Sequence, residues 1–417
     1  MTRRWLILAD DLTGAADCGI AFAKRGFQAL VGWGDGASAP EGEAEVLVID
    51  ADSRRLSPEA AGIRHRTLLG AHLAPGMLLI KKIDSTLRGQ PARELAETVA
   101  ALRAAGRRGL AIVAPAFPAT GRTTQDGCVR IDGAPLESTQ LWARDHSYPT
   151  ADLVRVLAGV GLRARLAPLA CIRDEAAFAA AIRAALDEDQ DALVCDAATP
   201  EDLHAIAAAT LPFAGDVFWT GSGGIAAALA ARMPMGTAPC LPPGARGGVL
   251  MVVGSVAEAS RAAARKLVAT AEVQHVVVPP EWLLAGPQPA EAARISASIA
   301  GPLSRGRDVL VEIAADAEAD LTQGALLAER LAALLEPAAP HLGGLFATGG
   351  ETACALLSRL GIHGIELIDE IEPGVPLGIT RGAHAFPVMT KAGAFGGADT
   401  IAHARARLRA MLYAGAE

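Results

Sequence analysis

Short apolar runs alternate with longer amphipathic segments along most of the chain. Each run has four to six residues, is rich in Val, Ile and Leu, and lacks alternating polar positions. Such runs are typical of strands that are buried on both faces of a parallel sheet. The runs are Trp5–Ala9, Val46–Ile49, Met77–Ile80, Leu110–Ala114, Ala192–Cys195, Val217–Thr220, Val249–Val253, Val273–Val278, Val309–Ile313 and Leu345–Thr348.

The segments between these runs have the spacing of helices. Pro91–Ala105 and Leu321–Leu335 are rich in alanine, with apolar residues three and four positions apart and charges on the other face. The alternation of strands and helices predicts an α/β fold with largely parallel sheets.

A segment dense in proline and glycine interrupts the alternation at Met233–Gly248. Because it has no periodicity and a new apolar run follows it, we predict a domain boundary there. The expected domains are residues 1–238 and 246–417, with a ligand cleft between them. A chain of 417 residues is also too long for one typical core.

Composition and charge exclude several classes of function. The chain has 38 Lys and Arg residues against 46 Asp and Glu residues, a net charge of −8, so it lacks the electrostatic footprint of a nucleic-acid or membrane-surface protein. No segment approaches the roughly 20 apolar residues of a membrane-spanning helix. Six scattered cysteines without a C-x-x-C pair are typical of a reducing compartment. We therefore expect a cytoplasmic protein with no nucleic-acid and no membrane partner.

Charged and hydroxyl residues follow the first three predicted strands. A-D-D-L-T-G-A-A-D follows the first strand, D-A-D-S-R-R the second, and K-K-I-D-S-T-L-R-G the third. The carboxyl ends of parallel strands meet at one edge of a sheet, where α/β proteins bind ligands. We therefore predict a ligand site at this edge, with a turn at Thr13 and Gly14 and a helix that begins at Ala15.

The residue types at this edge could bind a carboxylate and hydroxyl groups, and a solvated charged loop is the plainer alternative. Asp10 or Asp11 could bind substrate hydroxyls or a metal ion, whereas an N-cap beside a solvated carboxylate is the plainer alternative. Asp84 is the sharper candidate for a general base, with Asp11 as the other candidate. The basic side chains that could clamp a carboxylate are Arg54, Lys81, Lys82 and Arg88.

Three glycine-rich turns of the C-terminal half each join a predicted strand to a predicted helix. They are Gly254–Val256, Thr348–Ala353 and Lys391–Gly397. Glycine lets the backbone approach a phosphate, and a helix N-terminus presents unpaired N–H donors. Each turn alone is a common tight connection, but together they predict a nucleotide-phosphate cradle, without a Walker A or dinucleotide fingerprint. A fourth such turn, Thr220–Gly224, has no assigned role.

Lys391 is the only lysine of the predicted cradle. It could neutralise a phosphate, or it could be an exposed residue at a strand end. Mg²⁺ should accompany ATP, since it bridges phosphates. Glu351 and Asp399 are the acidic residues nearest the cradle in sequence, and the metal ligands stay unassigned.

In this order, the strings ADDLTGAAD, DADSR, KKIDSTLRG, APAFPATGRTT, GSV, TGGETA and KAGAFGG resemble the four-carbon acid sugar kinase family. The resemblance extends from Ala9 to about Asp399. It implies an N-terminal sugar-acid domain, a C-terminal ATP domain, and transfer of the ATP γ-phosphate to the 4-hydroxyl of a four-carbon sugar acid. KKIDSTLRG is similar to the branch that acts on threonate or erythronate.

The resemblance also implies individual contacts. Those with the acid fall on Asp11, Arg54, Lys81, Lys82, Ile83 and Asp84. Those with ATP fall on Ser255, Gly349, Gly350, Glu351, Thr352 and Gly396, to which the glycine-rich turns add Lys391 and Gly393. Ala16 and Gln90 stand where family members often have Asn.

D-threonate is the substrate we expect, with D-erythronate and 3-oxo-tetronate as alternatives. A two-lobed sugar-acid sensor would explain the N-terminal charges but not the three glycine turns. A nicotinamide-dependent dehydrogenase would need the G-x-G-x-x-G fingerprint that the chain lacks. A homodimer is compatible with the sequence, which does not fix the oligomeric state.

Overall fold

The structure is a computed structural model that describes residues 4–34, 44–145, 148–236, 247–254, 257–286, 288–314, 323–391 and 396–414. The chain divides into two compact units, Met1–Ala238 and Pro239–Glu417. We refer to them as the N-terminal unit and the C-terminal unit.

The N-terminal unit contains an all-parallel sheet of the order β2-β3-β1-β4-β11-β5-β10-β9 and a small antiparallel sheet, β6-β7-β8. The strands are β1 (Trp5–Ala9), β2 (Ala29–Trp33), β3 (Val46–Asp50), β4 (Leu78–Lys82), β5 (Leu110–Ala114), β6 (Arg122–Gln125), β7 (Cys128–Ile131), β8 (Ala134–Pro135), β9 (Ala164–Ala167), β10 (Ala192–Cys195) and β11 (Val217–Gly221). The helices are α1 (Leu12–Ala23), α2 (Pro58–His72), α3 (Pro91–Ala104), α4 (Gln140–Asp145), α5 (Leu153–Ala158), α6 (Leu169–Ile172), α7 (Glu175–Asp187), α8 (Pro200–Thr210) and α9 (Gly223–Ala231).

Both faces of the large N-terminal sheet are covered, which explains the unbroken apolar runs. Leu6 and Leu8 of β1 belong to the core that contains Leu95 and Val99 of α3. Trp5 belongs to the opposite face, since successive strand residues alternate, and its ring lies 5.1 Å from that of Phe22 in α1. A strand buried on both faces has no polar alternation to show in its sequence.

The C-terminal unit has a sheet of the order β13-β14-β12-β15-β18-β17-β16. The pairs from β13 to β18 are parallel, and β17 is antiparallel to both β16 and β18. The strands are β12 (Gly248–Val253), β13 (Gln274–Val278), β14 (Val309–Ile313), β15 (Leu342–Thr348), β16 (Ile362–Glu372), β17 (Val375–Gly382) and β18 (Pro387–Lys391). The helices are α10 (Glu258–Thr270), α11 (Pro280–Ala285), α12 (Pro289–Ser304), α13 (Gly324–Leu335), α14 (Gly350–Arg359) and α15 (Thr400–Ala414).

The last helix of the C-terminal unit is fixed by a buried carboxylate. Asp308 accepts a hydrogen bond from Val249 N at 2.8 Å. Its other partners are Arg405, at 2.6 Å, and Arg409, also at 2.6 Å. Two arginines of α15 are therefore tied to the start of β12, which holds the helix against the sheet.

The α/β fold expected from the sequence is confirmed, and each of the ten apolar runs overlaps a strand. The helix expected from Ala15 instead begins at Leu12, because the Asp11 carboxylate accepts the Gly14 N–H at 3.0 Å and caps the first turn. Strands outside the ten runs include β2, β9 and the antiparallel β16, whose sequence mixes charged and apolar residues. No described helix combines the length and apolar character needed to cross a membrane.

Candidate functional site

The first candidate site lies at the carboxyl edge of the N-terminal sheet. Strand β1 lies between β3 and β4 and is parallel to both. The chain leaves β1 toward β2 and β3 and later returns on the other side to form β4, so this edge is a topological switch point. The register aligns Ala9 with Asp50 and Leu8 with Lys81, which brings the three charged strand ends together.

Arg54 connects these strand ends. Its Nε donates a hydrogen bond to Asp10 Oδ2 at 2.8 Å, and its Nη1 lies 2.8 Å from Asp11 Oδ2. Its Nη2 lies 3.4 Å from Asp84 Oδ2. One planar cation thus holds three carboxylates that would otherwise repel one another.

Asp11 has a structural role as well as a place in the site. Its Oδ1 caps α1 through Gly14 N, and its Oδ2 accepts a hydrogen bond from Thr13 Oγ1 at 2.7 Å. A Cβ at Gly14 would lie 2.5 Å from Asp11 Oδ1 and 2.6 Å from Lys82 Nζ, so a larger residue here would displace one of these two side chains. The plainer alternative from the sequence was an N-cap aspartate beside a solvated one. Asp10 is instead buried, at 2% exposure.

Asp84 lies in a tight turn after β4. Its Oδ1 accepts hydrogen bonds from Thr86 N at 2.9 Å and from Thr86 Oγ1, and its Oδ2 lies 2.6 Å from Arg88 Nη2. Leu87, which follows Thr86, is buried and has a φ of +62°. A left-handed leucine is unfavourable by roughly 1–2 kcal/mol, so the surrounding hydrogen bonds must hold this turn in place.

The adjacent lysines of the K-K motif point to opposite sides of β4. Lys82 Nζ lies 4.0 Å from Asp10 Oδ1, among the carboxylates. Lys81 Nζ instead lies 2.7 Å from the buried Glu94 and donates to the Lys82 carbonyl. Ile83 packs its side chain into the core, and its N–H donates to a main-chain carbonyl of β11. Of these three residues predicted to bind the acid, only Lys82 directs its side chain toward Asp10.

The charges of this edge keep one another ionised. Burial alone would raise the pKa of Asp84, but Arg54 and Arg88 hold it well below its ordinary value. The pKa of Asp11 is also lowered, because Arg54 and Lys82 outweigh the effect of burial. Burial opposes the charge of Arg54 too, yet the surrounding carboxylates raise its pKa well above the usual value. Both candidate bases are therefore carboxylates over the whole physiological pH range.

Asp50 is a further carboxyl group of this edge that the sequence did not single out. It ends β3, is 2% exposed, and accepts a hydrogen bond from Asp52 N at 2.8 Å. Burial raises its pKa well above the ordinary value, and the nearby carboxylates Asp11 and Asp10 add to this effect. The sequence places Asp50 at the start of the D-A-D-S-R-R string, but it does not show that the side chain is buried.

The second candidate site lies at the carboxyl edge of the C-terminal sheet. Strand β12 lies between β14 and β15, and the chain order reverses between β12 and β15. This is again a switch point. The register aligns Val253 with Thr348 and Thr348 with Lys391, so the described parts of the three glycine-rich turns begin side by side.

The turn before α14 is the best-defined part of this second edge. Gly349 has a φ of +93° and precedes the first helical residue, Gly350. Glu351 and Thr352 belong to the first turn, where the N–H groups of a helix have no partner within the helix. Gly254 approaches Thr352 so closely that a Cβ would collide with its side chain. Ser255 and Gly393, two of the predicted ATP contacts, lie outside the described residues.

Lys391 ends β18 and is almost wholly buried, at 1% exposure. Its Nζ donates a hydrogen bond to Ser260 Oγ at 2.8 Å. Burial lowers its pKa to about 8, and the Glu372 carboxylate opposes this shift. Glu372 also accepts a hydrogen bond from Thr400 Oγ1 at 2.6 Å, close to Gly396, which has a φ of +76°. No sequence signal indicated Glu372, because it ends a long strand outside the glycine turns.

The two acidic residues considered near the cradle have different surroundings. Glu351 lies in the first turn of α14, whereas Asp399 lies 2.7 Å from Lys266 Nζ in an exposed ion pair. Within the ranges that the structure describes, no group of three or more His, Cys, Asp or Glu side chains is arranged to hold a metal ion.

The turn Thr220–Gly224, whose role was open, is a close-packed connection. A Cβ at Gly223 would lie 2.5 Å from Asp17 Oδ2, and one at Gly224 would collide with the Ala116 carbonyl. Ser222 caps α9 and donates to the same carbonyl at 2.9 Å. Its glycines are thus explained by packing within the unit.

Two family models match the chain in succession. Residues 5–229 match the model described as a sugar-binding N-terminal domain, and residues 250–401 match a nucleotide-binding C-terminal domain. Each model covers the edge described above for its unit.

Curated relatives match over almost their whole length. The D-threonate kinase of Cupriavidus necator is 45% identical over 410 residues, which are 96% of this chain and 97% of that protein. The D-erythronate kinase of Heliobacterium modesticaldum is 31% identical over 439 residues, 94% of each chain. A crystal structure of a Haemophilus influenzae protein shares the fold, with a TM-score of 0.76, 19% identity, and coverage of 97% of this chain and 100% of that one. The chain therefore belongs to the four-carbon acid sugar kinase family.

Proposed function

We propose that this protein transfers the γ-phosphoryl group of ATP to the 4-hydroxyl of a four-carbon sugar acid, and that D-threonate is its main substrate. The observation that carries the proposal is the Arg54 contact with Asp10, Asp11 and Asp84 at the switch point of the N-terminal sheet. This cluster offers a cation that can bind a carboxylate and aspartate oxygens that can accept hydrogen bonds from hydroxyl groups. A polyhydroxylated acid requires both. The relative that is 45% identical is a D-threonate kinase.

Each domain has one ligand in this proposal. Residues 1–238 would bind the sugar acid, with its carboxylate near Arg54, Lys82 and Arg88 and its hydroxyls on the aspartates. Residues 246–417 would bind ATP. Support comes from the two family models, whose descriptions name a sugar and a nucleotide in this order.

The aspartates of the first edge would act on the acceptor hydroxyl. As O4 forms its bond to the γ-phosphorus, the bond from that phosphorus to the β–γ bridging oxygen breaks and ADP leaves. The O4 proton passes to a carboxylate, either Asp84 or Asp11, and then to water. Their lowered pKa values make them weak bases, but phosphoryl transfer has a loose transition state in which orienting the nucleophile contributes more than basicity.

The glycine turns would hold the ATP phosphates. The positive φ of Gly349 and the N-terminus of α14 fit a phosphate, because backbone N–H groups can face it without an intervening Cβ. The Lys391 ammonium adds a positive charge beside this turn. Mg²⁺ would be carried mainly by phosphate oxygens and water, as it commonly is in kinases, and it would neutralise the phosphates.

D-erythronate is the second substrate to consider, because the 31% identical relative is a D-erythronate kinase. The two acids differ in the configuration of one hydroxyl. Which isomer fits thus depends on which aspartate accepts that hydroxyl. 3-Oxo-tetronate is a third, since a relative of 31% identity carries that name. A cytoplasmic location and a homodimeric assembly stay predictions, the latter open to sedimentation measurements.

The test is a coupled assay of ADP release by the full chain with Mg²⁺ and ATP. The panel should contain D-threonate, L-threonate, D-erythronate, L-erythronate and 3-oxo-tetronate, with an assay lacking any acid as the background. We expect the highest kcat/KM with D-threonate and ³¹P NMR evidence of a 4-phosphate product. ADP release at background with every acid would overturn the proposal, and a clear preference for another isomer would correct the substrate.

A further inference from the structure

Four polar side chains form a fully buried cluster in the N-terminal unit, next to the charged edge. Ser53, His65, Lys81 and Glu94 are each 0% exposed. They come from the loop after β3, from α2, from β4 and from the first turn of α3. We call them the buried quartet. Polar groups in a core need partners, because burying an unpaired charge is strongly unfavourable.

Glu94 is the centre of the buried quartet. Its Oε2 lies 2.7 Å from Lys81 Nζ, and its Oε1 accepts a hydrogen bond from Ser53 Oγ at 2.7 Å. Because that hydroxyl has one proton to give, His65 Nε2 must donate to Ser53 Oγ, 2.9 Å away. Burial and the Lys81 charge lower the pKa of His65, and the Glu94 carboxylate opposes this shift.

Two members of the buried quartet are direct neighbours of site residues. Ser53 precedes Arg54, and both of their N–H groups donate to the Asp10 carbonyl, at 3.1 and 3.3 Å. Lys81 precedes Lys82, and its Nζ donates a hydrogen bond to the Lys82 carbonyl oxygen at 2.8 Å. Successive residues of a strand face opposite sides, so anchoring Lys81 on one side fixes the direction of Lys82 on the other.

We propose that Glu94 is a positioning residue for the sugar-acid site: by holding Lys81 and Ser53, it fixes the orientation of Lys82 and Arg54. The idea extends the proposed function, on which its kinetic consequence rests. It also gives the two lysines of the K-K motif different tasks. Lys82 faces the substrate carboxylate, and Lys81 is part of the frame.

A buried ion pair that only stabilises the fold is the alternative. The matched control is Asp202, which is 4% exposed and receives two hydrogen bonds from Arg173, at 2.8 and 3.1 Å. It belongs to the same unit but caps α8 rather than any segment of the site. Asp202→Asn removes one buried charge from an ion pair, as Glu94→Gln does.

The first measurement needs no substrate. The Arg54 Nε–H group, bonded to Asp10 in the wild type, can be followed by ¹H–¹⁵N NMR and assigned with an Arg54→Lys variant. We expect Glu94→Gln to increase its hydrogen-exchange rate by about tenfold or more, since a loosened contact opens more often. Asp202→Asn should leave the rate at its wild-type value. An unchanged rate in folded Glu94→Gln would overturn the proposal.

A double variant keeps the test decisive if Glu94→Gln does not fold. Lys81→Met with Glu94→Leu replaces the ion pair by apolar groups of similar volume, an exchange that is often neutral for stability. We expect a Tm close to that of the wild type but fast exchange at Arg54 Nε–H, because Ser53 has lost its acceptor. If the double variant has both the Tm and the slow Arg54 Nε–H exchange of the wild type, the buried quartet only stabilises the fold and the proposal is wrong.

The kinetic measurement links this inference to the proposed reaction. We expect Glu94→Gln to raise the KM for D-threonate by about 10- to 100-fold, the usual effect of losing a residue that orients a binding group. The KM for ATP should stay the same, and Asp202→Asn should change neither. If the wild type uses no four-carbon acid, the proposed function fails, while the exchange rate at Arg54 still decides the role of Glu94.

Discussion

The two sheet edges occupy equivalent topological positions but are built from different chemical groups. At the N-terminal edge, Arg54 and three aspartates form a network of charged side chains. At the C-terminal edge, the described residues contribute mainly a glycine with a positive φ, a helix N-terminus and Lys391. A hydroxy acid needs donors and acceptors at defined points, whereas a polyphosphate needs backbone N–H groups and one or two cations. The difference therefore follows from the proposed ligands.

The two edges also differ in how burial acts on charge. In the N-terminal edge, opposite charges more than offset burial, so Asp84 keeps a pKa well below its ordinary value. In the C-terminal edge, Lys391 has less compensation, and its pKa falls to about 8. The first edge is thus ionised over the whole physiological pH range, whereas Lys391 at the second edge loses its charge as the pH rises above about 8. Changes at one edge should affect the acid, and changes at the other should affect ATP.

The largest expected effect is that of Asp84→Asn. Turnover of D-threonate should fall by about 10²- to 10⁴-fold, the range for loss of a general base, while calorimetry with a non-hydrolysable ATP analogue shows unchanged affinity. Because the pKa values of Asp84 and Asp11 are both lowered, these carboxylates stay deprotonated as pH falls. The wild-type kcat should therefore show no acidic limb between pH 8 and 5. Near-normal turnover in Asp84→Asn would remove Asp84 from the mechanism.

A smaller loss is expected from Arg54→Lys. Lysine keeps the charge but cannot contact three carboxylates in one plane. The KM for the acid should rise by about 10- to 100-fold, because a hydrogen bond to a charged group contributes roughly 1.5–3 kcal/mol. Arg173→Lys, which alters an arginine–carboxylate pair elsewhere in the unit, is the control and should leave this KM unchanged. A rise in the KM for ATP would contradict the separation of the two edges.

The pH dependence of ATP affinity tests the second edge. Phosphate favours the charged form of Lys391, so binding raises its pKa above the value of about 8. Affinity should be full below that pH and should fall by up to tenfold per pH unit above it. Calorimetry between pH 7 and 9.5 measures this change in affinity. The ATP affinity of Lys391→Arg should stay constant over the same range. A flat wild-type profile would mean that Lys391 does not contact the phosphates.

The smallest expected effect is that of Gly349→Ala. An alanine in the positive-φ conformation of Gly349 is unfavourable by about 1–2 kcal/mol. If the turn relaxes in the free protein and must regain this conformation to bind ATP, the affinity for ATP falls by roughly 5- to 30-fold. Gly306→Ala is the control, because Gly306 has a φ of +73° and open space around it. Both variants should lose stability, but only Gly349→Ala should lose ATP affinity. Equal ATP affinities would show that the turn does not approach the nucleotide.

Sequence patterns predicted the features that are set by residues adjacent in the chain, such as the end of a strand or the start of a helix. Each charged string directly follows an apolar strand, so Arg54 and Asp84 could be placed at a sheet edge from local order and the parallel topology alone. Gly349 could be placed at a helix start for the same reason. The α/β fold followed from strands that are buried on both faces.

Sequence patterns could not predict pairs formed across the fold. Glu94 contacts Lys81 and Ser53 from a helix turn that reads as amphipathic, and an acidic residue on its buried face was the only available signal. Glu372 reaches the second edge at the end of β16, whose mixed polar pattern concealed the strand. The start of α1 was missed because a side chain in the site, Asp11, is also its cap.

The network around Arg54 has a consequence for how an anion is captured. Three carboxylates, Asp10, Asp11 and Asp84, are in contact with three cations, Arg54, Lys82 and Arg88, so these six charges sum to zero. On a chain of net charge −8, such a group exerts little attraction on a distant anion. Encounter should then not be accelerated by electrostatic steering toward this edge. Discrimination among the many small metabolite anions of a cell would begin only on contact.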